Sequence, residues 1–267
     1  MRKCCQKYTG KRGEQSMEHI TSRQNALMTH IRKLNASRAY RRASGEYLCD
    51  GVKLLEEALR WNAPLKTVVL SEGVDAPALP SGVRAVQVPA DVMRSISPME
   101  TPQGALFTVR LPDTALPETL TGAHYLVLDG VQDPGNVGTI LRTAHAFGFD
   151  DVILSPGCAD LYNEKVIRST QGALFHMNCV QRGLREAMDE LRKQDVRIYA
   201  TALHHDAIPL SQLHAPSRFA LIFGNEGQGV EEALIAASDA ALYIEMAQFE
   251  SLNVAVAAAI CMYTMSH

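Results

Sequence analysis

Arg142 is the single arginine in LDGVQDPGNVGTILRTAHAFGF, residues 128–149, and it follows Asn136 by six positions. A guanidinium is a poor proton acceptor, but it grips phosphate oxygens and stabilises negative charge developing on a reacting oxygen. Gly130, Gly135 and Gly138 precede it around a strand end, which implies a tight turn and a close approach by another part of the chain. The spacing matches neither G-x-x-x-x-G-K-[ST] nor G-x-G-x-x-G, so nucleoside triphosphate or dinucleotide binding is poorly supported. Ile140, Leu141 and Ala144 recur at helical spacing, and Asn136 or Gly135 can cap that helix. On spacing alone, a capped helix with a surface arginine accounts for the same residues.

Two further stretches carry polar residues among glycines or at a helix start. In ALIFGNEGQGVEEAL, residues 220–234, Gly224, Gly227 and Gly229 imply a backbone that bends sharply or closes on a ligand, with Asn225 and Glu226 held at the turn. In IEMAQFESLNVAVAAAICMY, residues 244–263, Ser251 fits an N-cap and Asn253 falls in the first turn, where backbone N–H groups lack partners. Ala255, Ala257, Ala258 and Ala259 make the helix thin, so it should pack closely against a large element or a second subunit.

These stretches must be positioned by regular elements. Strands are predicted at 125–128, 151–154, 197–200, 219–223 and 241–244, with helices at 137–147, 162–169, 182–194, 231–236 and 252–265. Such alternation predicts a parallel sheet covered by helices, with the ligand crevice beyond the strand carboxyl ends. All three stretches are strand exits, as is ATALHH (200–205), so they predict one shared site. His204 and His205 point apart as neighbours and have no acidic or cysteine partner at ligand spacing, so no metal is expected.

Upstream, NALMTHIRKL (25–34) and GVKLLEEALRWN (51–62) read as helices. KTVVLSE, RAVQVPA and GALFTVR read as strands, with ADVMRSIS as a small helix between the last two. The chain of 267 residues therefore divides into a disordered leader at 1–16, with Met17 a candidate start, an α/β domain at 17–112, a proline-bearing linker at 113–122 and a larger α/β domain at 123–267.

With 46% hydrophobic residues the chain can bury a sizeable core, and no run reaches the ~18 apolar residues of a membrane span. The start of the chain has charges but no apolar export segment, so a cytoplasmic protein without a membrane partner is expected. Six cysteines are scattered without paired spacing and read as reduced thiols. The net charge of −3 hides an asymmetry: residues 1–45 hold eleven Lys and Arg against two Glu. That end is a candidate polyanion contact, and Arg38, Tyr40, Arg41 and Arg42 interleave cations with an aromatic as RNA binding requires, though a solvated basic helix face has the same composition.

Taken in order, N-x-G-x-x-x-R (Asn136, Gly138, Arg142), F-G-N-E-G-x-G (Phe223 to Gly229) and E-S-L-N-V-x-V-A (Glu250 to Ala257) resemble the three motifs of the SpoU-type RNA 2′-O-ribose methyltransferases. NEKVIRSTQGALFH (163–176) is also similar to a segment of that family, and YRRASGEYLCDGVKLLEEAL (40–59) to part of the small substrate-binding domain many members carry. The resemblance implies an α/β fold with a deep trefoil knot, a homodimer sealed by the C-terminal helix, S-adenosylmethionine as methyl donor and structured RNA as substrate, ribosomal in preference to transfer RNA. It places Arg142, Asn136, Glu226, Ser251 and Asn253 at the chemistry, with Asn136 and Glu226 orienting Arg142. It assigns Gly224, Ile244, Met246, Leu252 and Thr201 to the cofactor, and Arg168 with Arg38, Arg41 and Arg42 to RNA. The sequence departs from the family in IEMAQFESLN: Glu245 stands where proline is usual, and the following turn lacks its glycine. That departure leaves an RNA-binding protein with a relic pocket as the alternative.

Overall fold

A computed structural model describes residues 17–112, 122–203, 206–248 and 251–267. The expected leader, nearly all of the linker, the two adjacent histidines and Glu250 lie outside the described residues. The chain forms two compact units, Met1–Pro112 and Asp113–His267.

The first unit runs β1 (Glu18–His19), α1 (Ala26–Ala36), α2 (Arg38–Ser44), β2 (Glu46–Asp50), α3 (Val52–Arg60), β3 (Leu65–Ser71), β4 (Arg84–Val88), α4 (Ala90–Ile96) and β5 (Ala105–Arg110). Its five-stranded sheet has the order β1-β4-β3-β5-β2. β1, β4 and β3 pair in parallel, and β5 runs antiparallel to β3 and β2. Asn25 caps α1 by accepting from Leu27 N, and Leu27, Met28, Ile31 and Leu34 enter a core shared with Val69, Val86, Val92 and Leu106.

Hydrophobic periodicity missed α2 and β2. α2 is set by its ends: Ser37 Oγ accepts from Tyr40 N at 3.1 Å, and Gly45 closes the helix with φ 69°, which glycine adopts without strain. β2 is masked in the sequence by Glu46, a buried charge that disturbs the apolar pattern. Burial alone would push its carboxyl up, but Lys66 Nζ donates to Oε1 at 2.8 Å and holds it below the ordinary range.

In the second unit come β6 (His124–Leu128), α5 (Pro134–Ala146), β7 (Asp151–Leu154), α6 (Glu164–Thr170), β8 (Asn178–Gln181), α7 (Leu184–Arg192), β9 (Arg197–Thr201), β10 (Ile208–Pro209), β11 (Phe219–Phe223), α8 (Glu232–Ala236), β12 (Ala240–Tyr243) and α9 (Val254–Ser266). Seven strands pair in parallel in the order β10-β12-β9-β11-β6-β7-β8. The predicted α/β architecture with a parallel sheet is what the chain adopts, and the five predicted strands are its middle. β8 and β10 at the edges are additions, the first beginning and ending on polar residues and the second two residues long.

Side chains alternate across the sheet. Tyr125, Val127, Ala220 and Ile222 share one core with Leu184, Met188 and Leu191 of α7 and Leu234 of α8. The alternate residues, Leu126, Leu128, Leu221 and Phe223, are equally buried, and α5 packs against α6 and α9. Gly138 makes the α5–α6 contact possible: a Cβ there would lie 2.8 Å from Val166 O and 2.4 Å from Ser169 Cβ.

The order of connection positions the site. From β6 the chain moves outward through β7 to β8, then crosses back to β9, and from β11 it continues to β12 on the other side. β6 and β11 are neighbours whose exits diverge, and a crevice opens at such a reversal.

Two helix starts differ from expectation. Asp133, not Asn136 or Gly135, caps α5: its Oδ2 accepts from Asn136 N at 2.8 Å, with Pro134 in the first turn. Asn253, not Ser251, caps α9 by accepting from Ala255 N at 2.9 Å and Val256 N at 3.3 Å. With Asp133 at the cap, the Asn136 side-chain amide is left available for other partners.

Candidate active site

The site is built from loops that follow β6, β9, β11 and β12. After β11 the backbone doubles back, with Asn225 and Gly229 exchanging both N–H···O bonds at 2.9 Å. Asn225 braces this hairpin from within, its Oδ1 accepting from Gly227 N at 2.9 Å and Gln228 N at 3.1 Å, and its Nδ2 donates to Gly130 O at 2.8 Å in the β6 exit.

Glu226 projects from the same hairpin and joins two motifs. Its Oε1 accepts from Asp133 N at 3.1 Å and from Asn136 Nδ2 at 3.0 Å, while Oε2 accepts from Gln132 N at 3.2 Å. Burial works against the charge, but these hydrogen bonds outweigh it and hold the carboxyl below its ordinary range, so Glu226 is an anion at neutral pH. Asn136 Oδ1 accepts from Asn253 Nδ2 at 3.0 Å, and Asn253 Oδ1 caps α9. One chain of hydrogen bonds therefore connects three segments far apart in sequence.

Beside this chain lies a cavity of about 600 Å³, within the range of small-molecule sites. Thr201, Gly224, Ile244, Met246 and Leu252 all line it, together with Glu226, Ser251 and Asn253. Phe223, Leu242 and Cys261 supply apolar surface suited to a flat ring. No Lys, Arg or His is among its described lining residues, whereas Glu226 and Glu232 are. That charge balance disfavours a phosphate-bearing cofactor and suits a ligand carrying positive charge. Among the described residues no group of three or more potential metal ligands occurs, and Cys49, Cys158, Cys179 and Cys261 are buried free thiols.

Arg142 is not oriented by Asn136 and Glu226, contrary to expectation. Six residues along an α-helix are about 9 Å of rise and roughly 240° of rotation, so Arg142 leaves α5 from a different face. It is exposed, and the amide and carboxylate expected to hold it are bonded to each other and to backbone. Arg168 is exposed and pairs with Glu164 at 2.8 Å across one helical turn. Arg38 is half-buried and Arg42 exposed. Arg41 must be withdrawn from the RNA face: it is 6% exposed, and Nη1 donates to Leu34 O at 2.5 Å and Asn35 O at 3.2 Å, closing the carbonyl end of α1.

Sequence reasoning missed the brace at Glu245. Its Oε1 accepts from Ser211 Oγ at 2.8 Å and its Oε2 from Ser211 N at 3.3 Å, tying the loop that leaves β12 to the turn after β10. A glutamate in place of a proline was the only signal, and its partner lies 34 positions away. This brace stiffens the strand end that carries Ile244 and Met246 into the cavity. Glu245→Ala is expected to weaken binding of the cavity's ligand by about tenfold, roughly the worth of one charge-assisted hydrogen bond. The maximal rate should change little; unaltered affinity by calorimetry would dismiss the brace.

The SpoU rRNA Methylase family matches residues 123–263 of the chain, and an MRM3-like substrate binding domain matches residues 25–106. The 23S rRNA (guanosine(2553)-2′-O)-methyltransferase RlmP of Bacillus subtilis is 39% identical over 92% of this chain and 98% of its own. Two solved structures share the architecture. The AdoMet-bound rRNA methyltransferase from Sinorhizobium meliloti has a TM-score of 0.82 at 25% identity, covering 93% of this chain and 97% of its own. The SpoU methyltransferase AviRb from Streptomyces viridochromogenes, in complex with AdoMet, has a TM-score of 0.80 at 25% identity, covering 91% and 97%.

Proposed function

This chain belongs to the SpoU rRNA methylase family, and from that premise we propose that it methylates a ribose 2′-hydroxyl in structured RNA of the 23S ribosomal type, with S-adenosylmethionine as donor. The observation that carries the reading is the hydrogen-bond chain Glu226–Asn136–Asn253, which draws the three motif segments together beside a cavity whose described lining residues include no Lys, Arg or His. S-adenosylmethionine supplies a methyl group activated on a sulfonium, and its charge, adenine ring and size suit the carboxylates, apolar lining and volume of that cavity.

Thr201, Gly224, Ile244, Met246 and Leu252 hold the donor, largely through backbone and apolar contacts. Glu226, Asn136 and Asn253 keep the loops in register, and Ser251 faces the same space. Arg142 grips the phosphate beside the target ribose and stabilises the oxygen as its proton is lost. An exposed guanidinium suits that task, and Arg142 has no ion pair or side-chain hydrogen bond among the described residues to give up when RNA arrives. Arg168, Arg38 and Arg42 contribute contacts to the RNA backbone, and binding should weaken with added salt.

We infer that the protein acts in the cytoplasm as a homodimer and that its C-terminal segment is threaded as a trefoil knot. The knot reading is supported by the packing of α9 against α5, with the loop entering α9 sharing a cavity with the β9 and β11 exits. On α9, Val256, Ile260 and Tyr263 are 49%, 36% and 55% exposed at i, i+4 and i+7, an apolar stripe that a second copy would cover. Ile260→Asp should convert a dimer to a monomer in sedimentation experiments; a wild-type protein that sediments as a monomer removes this assignment.

The function is tested by incubating the purified chain with a 23S-type rRNA transcript and methyl-labelled S-adenosylmethionine, then mapping 2′-O-methyl positions. Label at one nucleotide is expected. The absence of label in any ribosomal transcript overturns the reading.

A further inference from the structure

The first unit holds an aromatic side chain in a setting unlike that of a core tyrosine. Tyr40, in α2, is half-buried and packs against the core of that unit, while Lys33 Nζ stands over its ring, 5.5 Å from the centroid. Lys33 is exposed, so the ring face beneath it lies at the surface. His30 meets the ring in an edge contact with centroids 5.5 Å apart, and its Nδ1 is hydrogen-bonded to the Tyr40 hydroxyl at 2.8 Å. We propose that Tyr40 is a stacking platform for one unpaired base of the RNA, with Lys33 and Lys66 placed to take the phosphates beside it. The proposal rests on the reading of the chain as an RNA methyltransferase, and adds to it a contact residue of the first unit and the kind of nucleotide it meets.

Three observations carry it. First, the ring is fixed before any ligand arrives. Ser37 Oγ accepts from Tyr40 N at 3.1 Å, Ser44 Oγ donates to Tyr40 O at 2.8 Å, and the hydroxyl is tied to His30. A side chain held in this way has little rotamer freedom left to lose when a base stacks on it, so more of the contact appears as affinity. Second, charge is organised around the ring. The buried Glu46 carboxylate lies 3.2 Å from His30 Nε2 and accepts from Lys66 Nζ at 2.8 Å, so one anion anchors two groups that reach the surface. An ammonium has three donors, and this contact engages one of them. Third, residues 20–45 hold six Lys or Arg and no Asp or Glu, so no carboxylate on α1 or α2 repels a phosphate.

The ring then narrows what the cations alone would accept. Lysines hold any polyanion, whereas stacking requires a base with a free face, which a base inside an RNA helix lacks. The site therefore takes a nucleotide from a loop or bulge. Every base has a π-face, so Tyr40 supplies affinity and placement without choosing among the four. The arriving base takes the place of the Lys33 ammonium over the ring, and that ammonium, on its flexible stem, moves to the adjoining phosphate. His30 and Glu46 stay behind the ring as positioning residues.

The test uses the full-length protein and a 23S-type rRNA transcript, with binding measured separately from methyl transfer. Tyr40→Leu is expected to weaken RNA binding about tenfold, and Tyr40→Phe, which keeps the ring, by less than about threefold. The slope of log affinity against log salt should be unchanged in Tyr40→Leu and shallower by about 0.7 in Lys33→Ala, since only the lysine neutralises a phosphate. Affinity for S-adenosylmethionine, read by calorimetry, should stay at the wild-type value in all three, because neither residue lines the donor cavity. A second measurement leaves the protein untouched: abasic nucleotides are placed one at a time through the unpaired segments of the transcript. One of them should cost the wild-type protein about tenfold in affinity and cost Tyr40→Leu nothing further. Wild-type affinity in Tyr40→Leu, equal losses in the Phe and Leu variants, or no abasic position that weakens wild-type binding overturns the platform and leaves the methyltransferase reading standing. The expected binding pattern without methyl transfer to any transcript overturns the methyltransferase reading and leaves the platform.

Discussion

Arg142→Ala is expected to lower the single-turnover rate of ribose methylation by about a thousandfold, the scale at which removing one preorganised charge stabiliser acts. Donor affinity and thermal stability should stay at wild-type values. The separation of these readouts follows from the structure. Arg142 is exposed on α5 and is not among the described residues that line the cavity, so truncating it should disturb the core and that cavity little. Its effect must come through the RNA and the reacting oxygen. Arg142→Lys should recover little of the rate, because an ammonium cannot reproduce a guanidinium's two parallel hydrogen bonds to phosphate. A rate within tenfold of wild type in the alanine variant would take the chemistry away from this residue. A fall in donor affinity would place it in a different role.

Gly224→Ala is expected to cost about 3 kcal/mol of stability, the upper range for forcing atoms into a filled space, and to reduce donor affinity by about a hundredfold. The reason is space, since a Cβ at Gly224 would lie 2.0 Å from Gly229 C and 2.1 Å from Val230 N. Those are backbone atoms and cannot rotate away. The only relief is to push the Asn225–Gly229 hairpin out, and that hairpin is a wall of the donor cavity and the support of Glu226. Gly227→Ala is the matched control, because a Cβ there meets only Asn225 Oδ1 at 3.5 Å, an ordinary contact. Equal tolerance of both substitutions, in denaturant melts and in donor titrations, would show that the hairpin's closure is not what shapes the cavity.

Both expectations draw on residues visible in the sequence, though for different reasons. Gly224 was legible because three glycines in six positions exceed what a strand-to-helix turn requires. Arg142 was legible as the only arginine of its segment, but its orientation was not. The six-residue spacing from Asn136 suggested contact, and helical rotation sets the two on different faces. Arg41 shows the same limit, since a basic cluster identifies cations without saying which are consumed by helix carbonyls. In Glu46, burial made possible by Lys66, twenty positions away, hid an entire strand from pattern reading.

The sequence by itself determined the alternation of strands and helices, the parallel sheet that alternation demands, and the three polar strand exits where ligands gather. It could do so because side-chain period, turn chemistry and glycine placement are local properties, written within a few residues of where they act. Only the tertiary structure decided which side chains meet: Glu226 with Asn136, Asn136 with Asn253, Glu245 with Ser211. Those partners lie 34 to 117 positions apart. Their pairing depends on strand order and on the direction each side chain takes, and neither is encoded by any short stretch of chain.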